Sequence, residues 1–376
     1  MGVAAPLMKA ELGLSATTFG IAVSAFFWIY APIQLLIGWL CDRLSVYRLF
    51  SAGVALWALS TTLTGFVAGF APLIILRLLL GIGESIAFPG SSKIIARHVP
   101  DSRRGIANAA VAVAIALGPA LGTLGGGFVM AWLGWHAIFL AFGIATFAWL
   151  VPWELRVRSF REDVRRRSEQ PFAISTLAKH WSLWATGIGH FTANYGFYFV
   201  LAWLPLYLVQ SRGYSIAAMT LLATAVYVAQ AGSALLSGWL SDHLVSGGHR
   251  EVKVRRIMIA GAQAAQACCI LGIAFAEDAE VLATWLVLTG AAFGPVSVNL
   301  YCIGQMFAGP RASGTWIGVQ NAIGNGAGIV QPILTGIIID RTASYSAAFF
   351  LAAAVCAAGA VWWGAILPDV RRIYLD

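Results

Sequence analysis

Long apolar segments, separated by short polar connections, follow one another along almost the whole chain. Each holds about 20 residues or more, the length at which an α-helix crosses a hydrocarbon core of roughly 30 Å. Because a backbone surrounded by lipid must satisfy its own hydrogen bonds, we predict that each segment is a membrane-spanning helix. The eleven predicted helices lie near residues 18–41, 48–69, 72–95, 105–131, 134–155, 181–210, 215–241, 255–276, 279–307, 312–340 and 345–367.

The longest polar interruption divides these helices into five and six. We assign residues 1–155 to an amino-terminal half-bundle, residues 156–180 to a basic cytoplasmic linker and residues 181–376 to a carboxyl-terminal half-bundle. A repeat supports this division, because GWLCDRL at residues 38–44 returns as GWLSDHL at residues 238–244. Duplicated membrane halves are the architecture of many secondary transporters.

Composition and charge indicate a membrane protein of defined orientation. With 59% hydrophobic and 11% charged residues, the chain has too few polar side chains to cover a soluble domain. Most of the 24 basic residues fall in alternate connections, and Lys and Arg accumulate in cytoplasmic loops. We therefore expect a multi-pass protein of the inner (plasma) membrane with a cytoplasmic carboxyl terminus. The net charge of +8 then reflects topology and anionic lipid headgroups, not nucleic-acid binding.

The amino terminus makes the two halves unequal. Residues 1–7 have the character of the last turns of a first helix, and a short exterior loop follows at residues 9–15. We expect a bundle whose first helix is largely missing, through a downstream start codon or a truncated gene model. A true eleven-helix protein is the alternative.

The residues that usually carry chemistry show no pattern typical of an enzyme. The 5 Cys and the 6 His have no spacing that favours a disulfide framework or a metal site. We predict no catalytic activity, no cofactor and no metal.

Several segments carry a family resemblance. The loop GWLCDR at residues 38–43, followed by Arg48, resembles the signature loop of the major facilitator superfamily. Three helices resemble those of its anion:cation symporter branch. They are numbered here as in the complete twelve-helix bundle of the family, so that residues 18–41 form the second helix. The fourth carries RLLLGIGE at 77–84 and FPG at 88–90; the seventh carries NY at 194–195 and WLPLY at 203–207; and the eleventh carries GVQN at 318–321, GN at 324–325 and QP at 331–332.

This resemblance implies an all-α membrane bundle of two six-helix halves, working as a monomer that imports organic anions with protons. The substrates of the branch are often sugar acids such as hexuronates, aldonates or aldarates. One departure concerns the first helix, which in relatives usually carries an Asp-Arg pair central to coupling and anion binding. If that segment is present, the Asp-Arg pair would act together with Arg77 and Glu84. If it is absent, the chain would be inactive or a facilitator.

Arg77 and Glu84 are ionisable residues inside a predicted membrane helix, where an unpaired Arg costs about 2.5 to 3.5 kcal/mol on insertion scales. Seven residues apart, they share one helix face about 10 Å apart along the axis, too far for a direct ion pair. Arg77 offers a charged, bidentate donor group for a carboxylate. Glu84 is predicted to carry the coupled proton, because burial favours a neutral carboxyl group. The alternative is a buried bridge between helices that locks one conformation.

A set of amide and phenol side chains is predicted to line the substrate cavity. Tyr30 and Gln34 share a face of the second helix, where the resemblance places polar cavity residues. The corresponding residues of the other half are Asn194, Tyr195, Tyr198, Asn321 and Asn325. Such side chains also join membrane helices structurally, and that alternative stays open for each of them.

Charged residues at the cytoplasmic helix ends are predicted to act as gates. Asp42, Arg43 and Arg48 belong to the signature loop, and Asp242 belongs to its repeat. A carboxylate there can cap a helix or pair with a basic residue of a neighbouring helix.

We therefore predict a secondary active transporter that imports a small organic anion with protons by alternating access. The alternatives are a uniporter or exporter of a neutral or amphipathic compound, and a substrate sensor that does not transport.

Overall fold

The computed structural model describes residues 1–99, 104–157 and 174–368, and these residues form α-helices and no β-strand. The helices are α1 (Ala5–Glu11), α2 (Ala16–Arg43), α3 (Val46–Thr64), α4 (Phe70–Glu84), α5 (Ala87–His98), α6 (Arg104–Val157), α7 (Ile174–Leu177), α8 (Trp181–Leu206), α9 (Ile216–Ser246), α10 (Glu251–Phe275), α11 (Ala279–Thr342) and α12 (Ser346–Val361). Single π-helical turns extend α8 and α12, at Tyr207–Ser211 and Trp362–Ile366. Most of the predicted linker, residues 156–180, lies outside the described residues.

Serine side chains begin corresponding helices of the two halves. The hydroxyl of Ser15 accepts a hydrogen bond from the Thr18 amide at 3.1 Å, and that of Ser215 accepts one from the Ala218 amide at 3.1 Å. Each satisfies one of the amides that a helix start leaves without a partner. Ser15 and Ser215 stand 200 residues apart, the offset of the sequence repeat. The duplication therefore includes the start of α2 and α9.

The segment labelled α6 contains two of the predicted membrane helices, which are joined without a loop. Gly134, with φ of 78°, interrupts its helical backbone. Around this point the chain folds back, because a Cβ placed on Gly126 would lie 3.4 Å from the ring of Phe142. In a straight helix these two residues would be about 24 Å apart. The positive φ favours glycine, which explains how so short a connection reverses the chain.

The long helix α11 also contains two predicted membrane helices. The Tyr301 hydroxyl lies 3.3 Å from Oδ1 of Asn321, although in a straight helix residues 20 positions apart would be about 30 Å apart. The chain therefore turns back between its apolar stretches, Ala279–Ala308 and Gly314–Thr342. Ten stretches of the described residues are long and apolar enough to cross a membrane, and the one at Leu117–Val157 contains the reversal at Gly134. Divided there, they correspond to the eleven predicted helices.

The helices pack as two groups, and two helix pairs make the most extensive contacts between them. Helices α2 to α6 pack on one another, as do α8 to α12. The groups meet where α2 packs on α11 and where α6 packs on α9. The repeat relates α2 to α9, and it relates the first part of α6 to the second part of α11. The two contacts are therefore equivalent under the duplication, as expected for halves related by an approximate two-fold axis.

The contact between α2 and α11 begins at the end of α2 that is remote from the signature loop. There the Asp340 carboxylate accepts hydrogen bonds from the Ala16 amide at 2.9 Å and the Thr17 amide at 2.7 Å. Further along, Nδ2 of Asn321 donates to Oε1 of Gln34 at 3.2 Å. Among the described residues, these three hydrogen bonds are the ones that join residues 1–157 to residues 174–368. The halves are thus closed against each other on the side opposite residues 42–48.

Candidate functional site between the two halves

Arg77 is held against α2 by backbone carbonyl groups. Its Nε donates to the Ala22 oxygen at 3.3 Å and its Nη2 to the Val23 oxygen at 3.4 Å. The guanidinium lies 5.2 Å from the centre of the Phe26 ring, a cation–π distance. Its Nη1 group makes no hydrogen bond with the described residues. The side chain is therefore oriented by α2 while part of its donor group stays available to an anion.

Gly81 lets α4 approach the backbone of α2 closely. A Cβ on Gly81 would lie 2.6 Å from the Phe26 oxygen and 3.3 Å from the Tyr30 amide nitrogen. Arg77 and Glu84 lie about one turn to either side of Gly81, so both stand on the face of α4 that packs on α2.

Glu84 is half-buried near the end of α4. Within the described part of the chain, its carboxylate makes no hydrogen bond and no ion pair, and it does not contact the Arg77 guanidinium within ion-pair distance. A carboxylate so placed can gain or lose a proton without disrupting a salt bridge.

Aromatic side chains of both halves meet beside this charged pair. Tyr30, which is 7% exposed, stacks on Phe26 with ring centres 4.7 Å apart. Phe27 contacts Tyr198 of α8, with ring centres also 4.7 Å apart. The Tyr198 hydroxyl donates to Oδ1 of Asn325 at 2.6 Å. These rings form an apolar cluster that joins α2 with α8 next to Arg77.

A chain of hydrogen bonds joins the two halves farther along α2, toward the signature loop. The Tyr301 hydroxyl donates to Oδ1 of Asn321 at 3.3 Å, and Nδ2 of the same amide donates to Oε1 of Gln34 at 3.2 Å. Nε2 of Gln34 is buried and has no hydrogen-bond partner. Asn321 thus connects α2 with both parts of α11, and one donor at this level remains unused.

The structure brings together most of the residues predicted for the cavity, but not all. Asn194 is buried on α8, one turn from Tyr198 and on the same face. Tyr195 is 3% exposed, belongs to the apolar core and has a hydroxyl without a hydrogen-bond partner. Its ring neighbours Phe191, at 6.3 Å between ring centres. Tyr195 is therefore not part of the hydrogen-bond chain.

Two residues of this region were not singled out from the sequence, His190 and Tyr301. His190 is 2% exposed on α8, and its ring meets the Tyr301 ring edge-on at 5.5 Å. The spacing of His190, Asn194 and Tyr198, four residues each, is the available sequence signal for one helix face. Tyr301 carries no comparable signal, because its role depends on how the two parts of α11 face each other.

Of the predicted gating residues, Asp242 has a defined partner. Its carboxylate lies 3.4 Å from Nη2 of Arg255 on the next helix. Arg255 is 8% exposed, and it also pairs with Glu251 at 2.8 Å and donates to Oδ1 of Asn299 at 3.1 Å. These contacts lie within one half, between α9, α10 and α11.

The other three predicted gating residues lie in the signature loop. The side chains of Asp42 and Arg43 lie outside the described part of the structure. Arg48 is exposed at the start of α3, where its amide donates to Oγ of Ser45 at 3.4 Å.

Comparison with known proteins agrees with the fold. The family model described as Major Facilitator Superfamily matches residues 1–332 and 219–372. A probable chloroplastic anion transporter 4 of Oryza sativa is 28% identical over 96% of this chain, which spans only 64% of that protein's length. A probable L-galactonate transporter of Escherichia coli is 28% identical over 96% of this chain and 83% of its own.

A solved structure agrees with the fold as well. The inward-facing, occupied crystal structure of a bacterial homologue of the human lysosomal transporter Spinster has a TM-score of 0.79 at 16% identity, covering 96% of this chain and 91% of its own. The family match extends over both halves of the helix bundle. The chain belongs to the Major Facilitator Superfamily.

Proposed function

We propose that this protein is a secondary active transporter that imports a small organic anion together with protons by alternating access. A sugar acid such as a hexuronate, an aldonate or an aldarate is the proposed substrate. The observation that carries the proposal is the charged face of α4, where Arg77 keeps a free donor group and Glu84 has no partner among the described residues. The names of the relatives, an anion transporter and an L-galactonate transporter, support the same substrate class.

Anion binding is assigned to Arg77. A carboxylate that binds Nη1 would form charge-assisted hydrogen bonds in surroundings of low dielectric constant, where they are strong. The carbonyls of Ala22 and Val23 already orient the guanidinium, so less conformational freedom is lost when the anion binds.

Proton binding is assigned to Glu84, about 10 Å from Arg77 along the α4 axis. A bound anion and an ionised Glu84 repel each other across a medium of low dielectric constant, so that anion and proton favour each other's binding. This coupling would make the anion and the proton enter together.

The movement is assigned to the contacts between the halves. In this structure the halves touch on the side opposite the signature loop. Transport requires them to separate there and to close on the other side. Asp42, Arg43, Arg48 and Asp242 are proposed as the gate on that other side. The division at residues 1–155, 156–180 and 181–376, the inner membrane, a monomeric state and a cytoplasmic carboxyl terminus belong to the same proposal.

Uptake into proteoliposomes tests this function. Labelled hexuronates, aldonates and aldarates are supplied with and without an inward proton gradient, and protein-free liposomes serve as the control. We expect accumulation above equilibrium when the gradient is present, and its collapse when a protonophore is added. Uptake that ignores the gradient would favour the uniporter, and binding without uptake would favour the sensor.

A further inference from the structure

Two buried polar atoms without partners lie on facing helices of the two halves. One is Nε2 of Gln34 on α2, and the other is Nδ1 of His190 on α8. Buried polar groups in proteins are almost always hydrogen-bonded, so unpaired ones on both sides of the contact between the halves make this a candidate place for a polar ligand.

The surroundings of His190 are shaped to hold its ring at this place. A Cβ on Gly324 would lie 2.5 Å from Cγ and 2.7 Å from Nδ1 of His190, so a larger residue there would displace the imidazole. On another side the ring meets Tyr301 edge-on, at 5.5 Å and 85° between ring planes. The imidazole is therefore packed between α8 and both parts of α11.

The hydrogen-bond chain connects His190 with Gln34. Tyr301, which packs on His190, donates to Asn321, and Asn321 donates to Gln34. Asn321 and Gly324 are three residues apart on α11 and share a face, about 5 Å apart along the axis. The two unpaired atoms consequently lie at one level of the bundle.

This level is distant from the proposed anion site. Gln34 lies eleven residues beyond Val23 on α2, about 16 Å along the helix axis. A side chain on a helix leans toward its amino-terminal end, which shortens the gap to Arg77. A substrate that reaches both places must be an extended molecule with hydrogen-bonding groups at the end remote from its carboxylate.

We propose that Gln34 and His190 bind the hydroxyl groups of the substrate, with Tyr301 positioning Asn321 and the imidazole. Nε2 of Gln34 donates to a hydroxyl oxygen, and Nδ1 of His190 donates or accepts according to its tautomer. The ligand class is an extended polyhydroxylated carboxylate, and an equally long carboxylate without hydroxyls is discriminated against. This assignment rests on the proposed function and deepens it.

A matched pair of inhibitors tests this assignment. Glucarate and adipate share a six-carbon dicarboxylate chain, and only glucarate carries hydroxyls. Each competes with labelled glucarate for uptake by the wild-type protein, by His190→Leu and by Gln34→Leu. We expect wild type to prefer glucarate, and each variant to lose about tenfold of that preference while adipate inhibits as before, because one net hydrogen bond corresponds to about that factor.

Further variants separate a binding role from a structural one. His190→Asn keeps a hydrogen-bonding group and should retain more of the preference than His190→Leu. Tyr301→Phe removes the hydroxyl that donates to Asn321 and should lower the preference. Tyr227→Phe, at a buried tyrosine of α9, is its control and should leave the preference unchanged. If wild type prefers glucarate and all site variants keep that ratio, this assignment is wrong although the proposed function stands. If wild type transports none of the sugar acids, both are overturned.

A separate observation concerns the side where the halves are closed. Asp340, near the end of α11, accepts hydrogen bonds from the first two amides of α2, at 2.9 and 2.7 Å. These amides have no partner within α2 and form its positive end. A Cβ on Gly336 would lie 2.7 Å from Cα of Thr17, so the two helices touch there. One half thus caps a helix of the other.

From this we infer that Asp340 is a clamp that keeps the halves closed on this side and releases α2 when they open. Asp340→Ala should shift the protein toward the state open there. A cysteine introduced at Asn325 should then react several-fold faster with an impermeant thiol reagent added from that side. The same cysteine combined with Asp278→Ala, just before α11 on the same side, controls for the loss of a nearby charge. The protein without the introduced cysteine measures the reaction of the native cysteines. An unchanged rate in Asp340→Ala would overturn the clamp.

Discussion

The Arg77 guanidinium is only partly satisfied by the protein. An isolated Arg in a membrane helix costs about 2.5 to 3.5 kcal/mol on insertion scales. Two carbonyls of α2 and the Phe26 ring offset part of that cost. A purely structural arginine would be expected to use its remaining donors as well. Nη1 has no partner among the described residues, which favours a role in binding an anion.

Replacing Arg77 by Lys should weaken anion binding although the charge is kept. Lysine lacks the planar fork that binds a carboxylate in bidentate fashion and that reaches the carbonyls of Ala22 and Val23. Losing one charge-assisted hydrogen bond corresponds to roughly a 10- to 100-fold increase in Kd. Titration of the purified protein with the transported anion measures this increase. Arg212→Lys, at an arginine whose side chain donates to the Glu277 oxygen outside the site, is the control. Equal affinities would leave Arg77 structural.

Glu84→Gln should separate exchange from accumulation. The amide keeps the shape of the protonated carboxyl group, but it cannot release a proton. Counterflow of labelled against unlabelled substrate should therefore continue, while uptake driven by a proton gradient should be lost. Glu280→Gln, at an exposed residue of α11, should keep both activities. Full gradient-driven accumulation by Glu84→Gln would show that another group carries the proton.

At the scale of helices, Gly81 sets the distance between α2 and α4. Gly81→Ala would place a Cβ 2.6 Å from the Phe26 oxygen, so the helices would have to separate by several tenths of an ångström. Overpacking of this kind costs about 1 to 3 kcal/mol. We expect a lower Tm in detergent and weaker anion binding, because Arg77 moves with α4. Gly261→Ala, where no atom lies within 4 Å of the added Cβ, is the control. Equal Tm values would contradict the close approach.

Apolar length was enough to predict the helices, because the bilayer sets their number of residues. The chain reversals within α6 and α11 are harder to predict from the sequence. At Gly134 one residue of positive φ reverses the chain within α6, and no polar loop is needed. The predicted boundaries, at residues 131 and 134, nevertheless fall at this glycine.

The site depends on the rotation of each helix, which composition does not reveal. Arg77 and Glu84 were recognised because charge is costly in lipid wherever it points. Tyr195 and Tyr198 look equivalent in sequence, yet Tyr198 bonds to Asn325 while Tyr195 packs in the apolar core. His190 acquires its surroundings from Gly324 and Tyr301, which are distant along the chain. Such contacts arise only when the helices are packed.

At the scale of the whole molecule, the duplication supplies two equivalent contacts between the halves. The contact of α2 with α11 and that of α6 with α9 exchange under the repeat. If the halves rocked about a central axis, both contacts would open on the same side of the membrane and close on the other. The polar chain at Gln34 and Asn321 lies between the closed side and the signature loop, the position expected for a site exposed alternately to either side.

The side of the membrane on which the Asp340 clamp closes depends on the orientation of the whole bundle, which labelling of intact cells can establish. The basic connections predict that the turn between α9 and α10, near Gly247, is cytoplasmic and that Glu277, between α10 and α11, is exterior. A cysteine at Glu277 should react with an impermeant maleimide in intact cells, and one at Gly247 only after permeabilisation. The protein without either substitution controls for its five native cysteines. The reverse pattern would invert the bundle, so that the Asp340 clamp would close the cytoplasmic side.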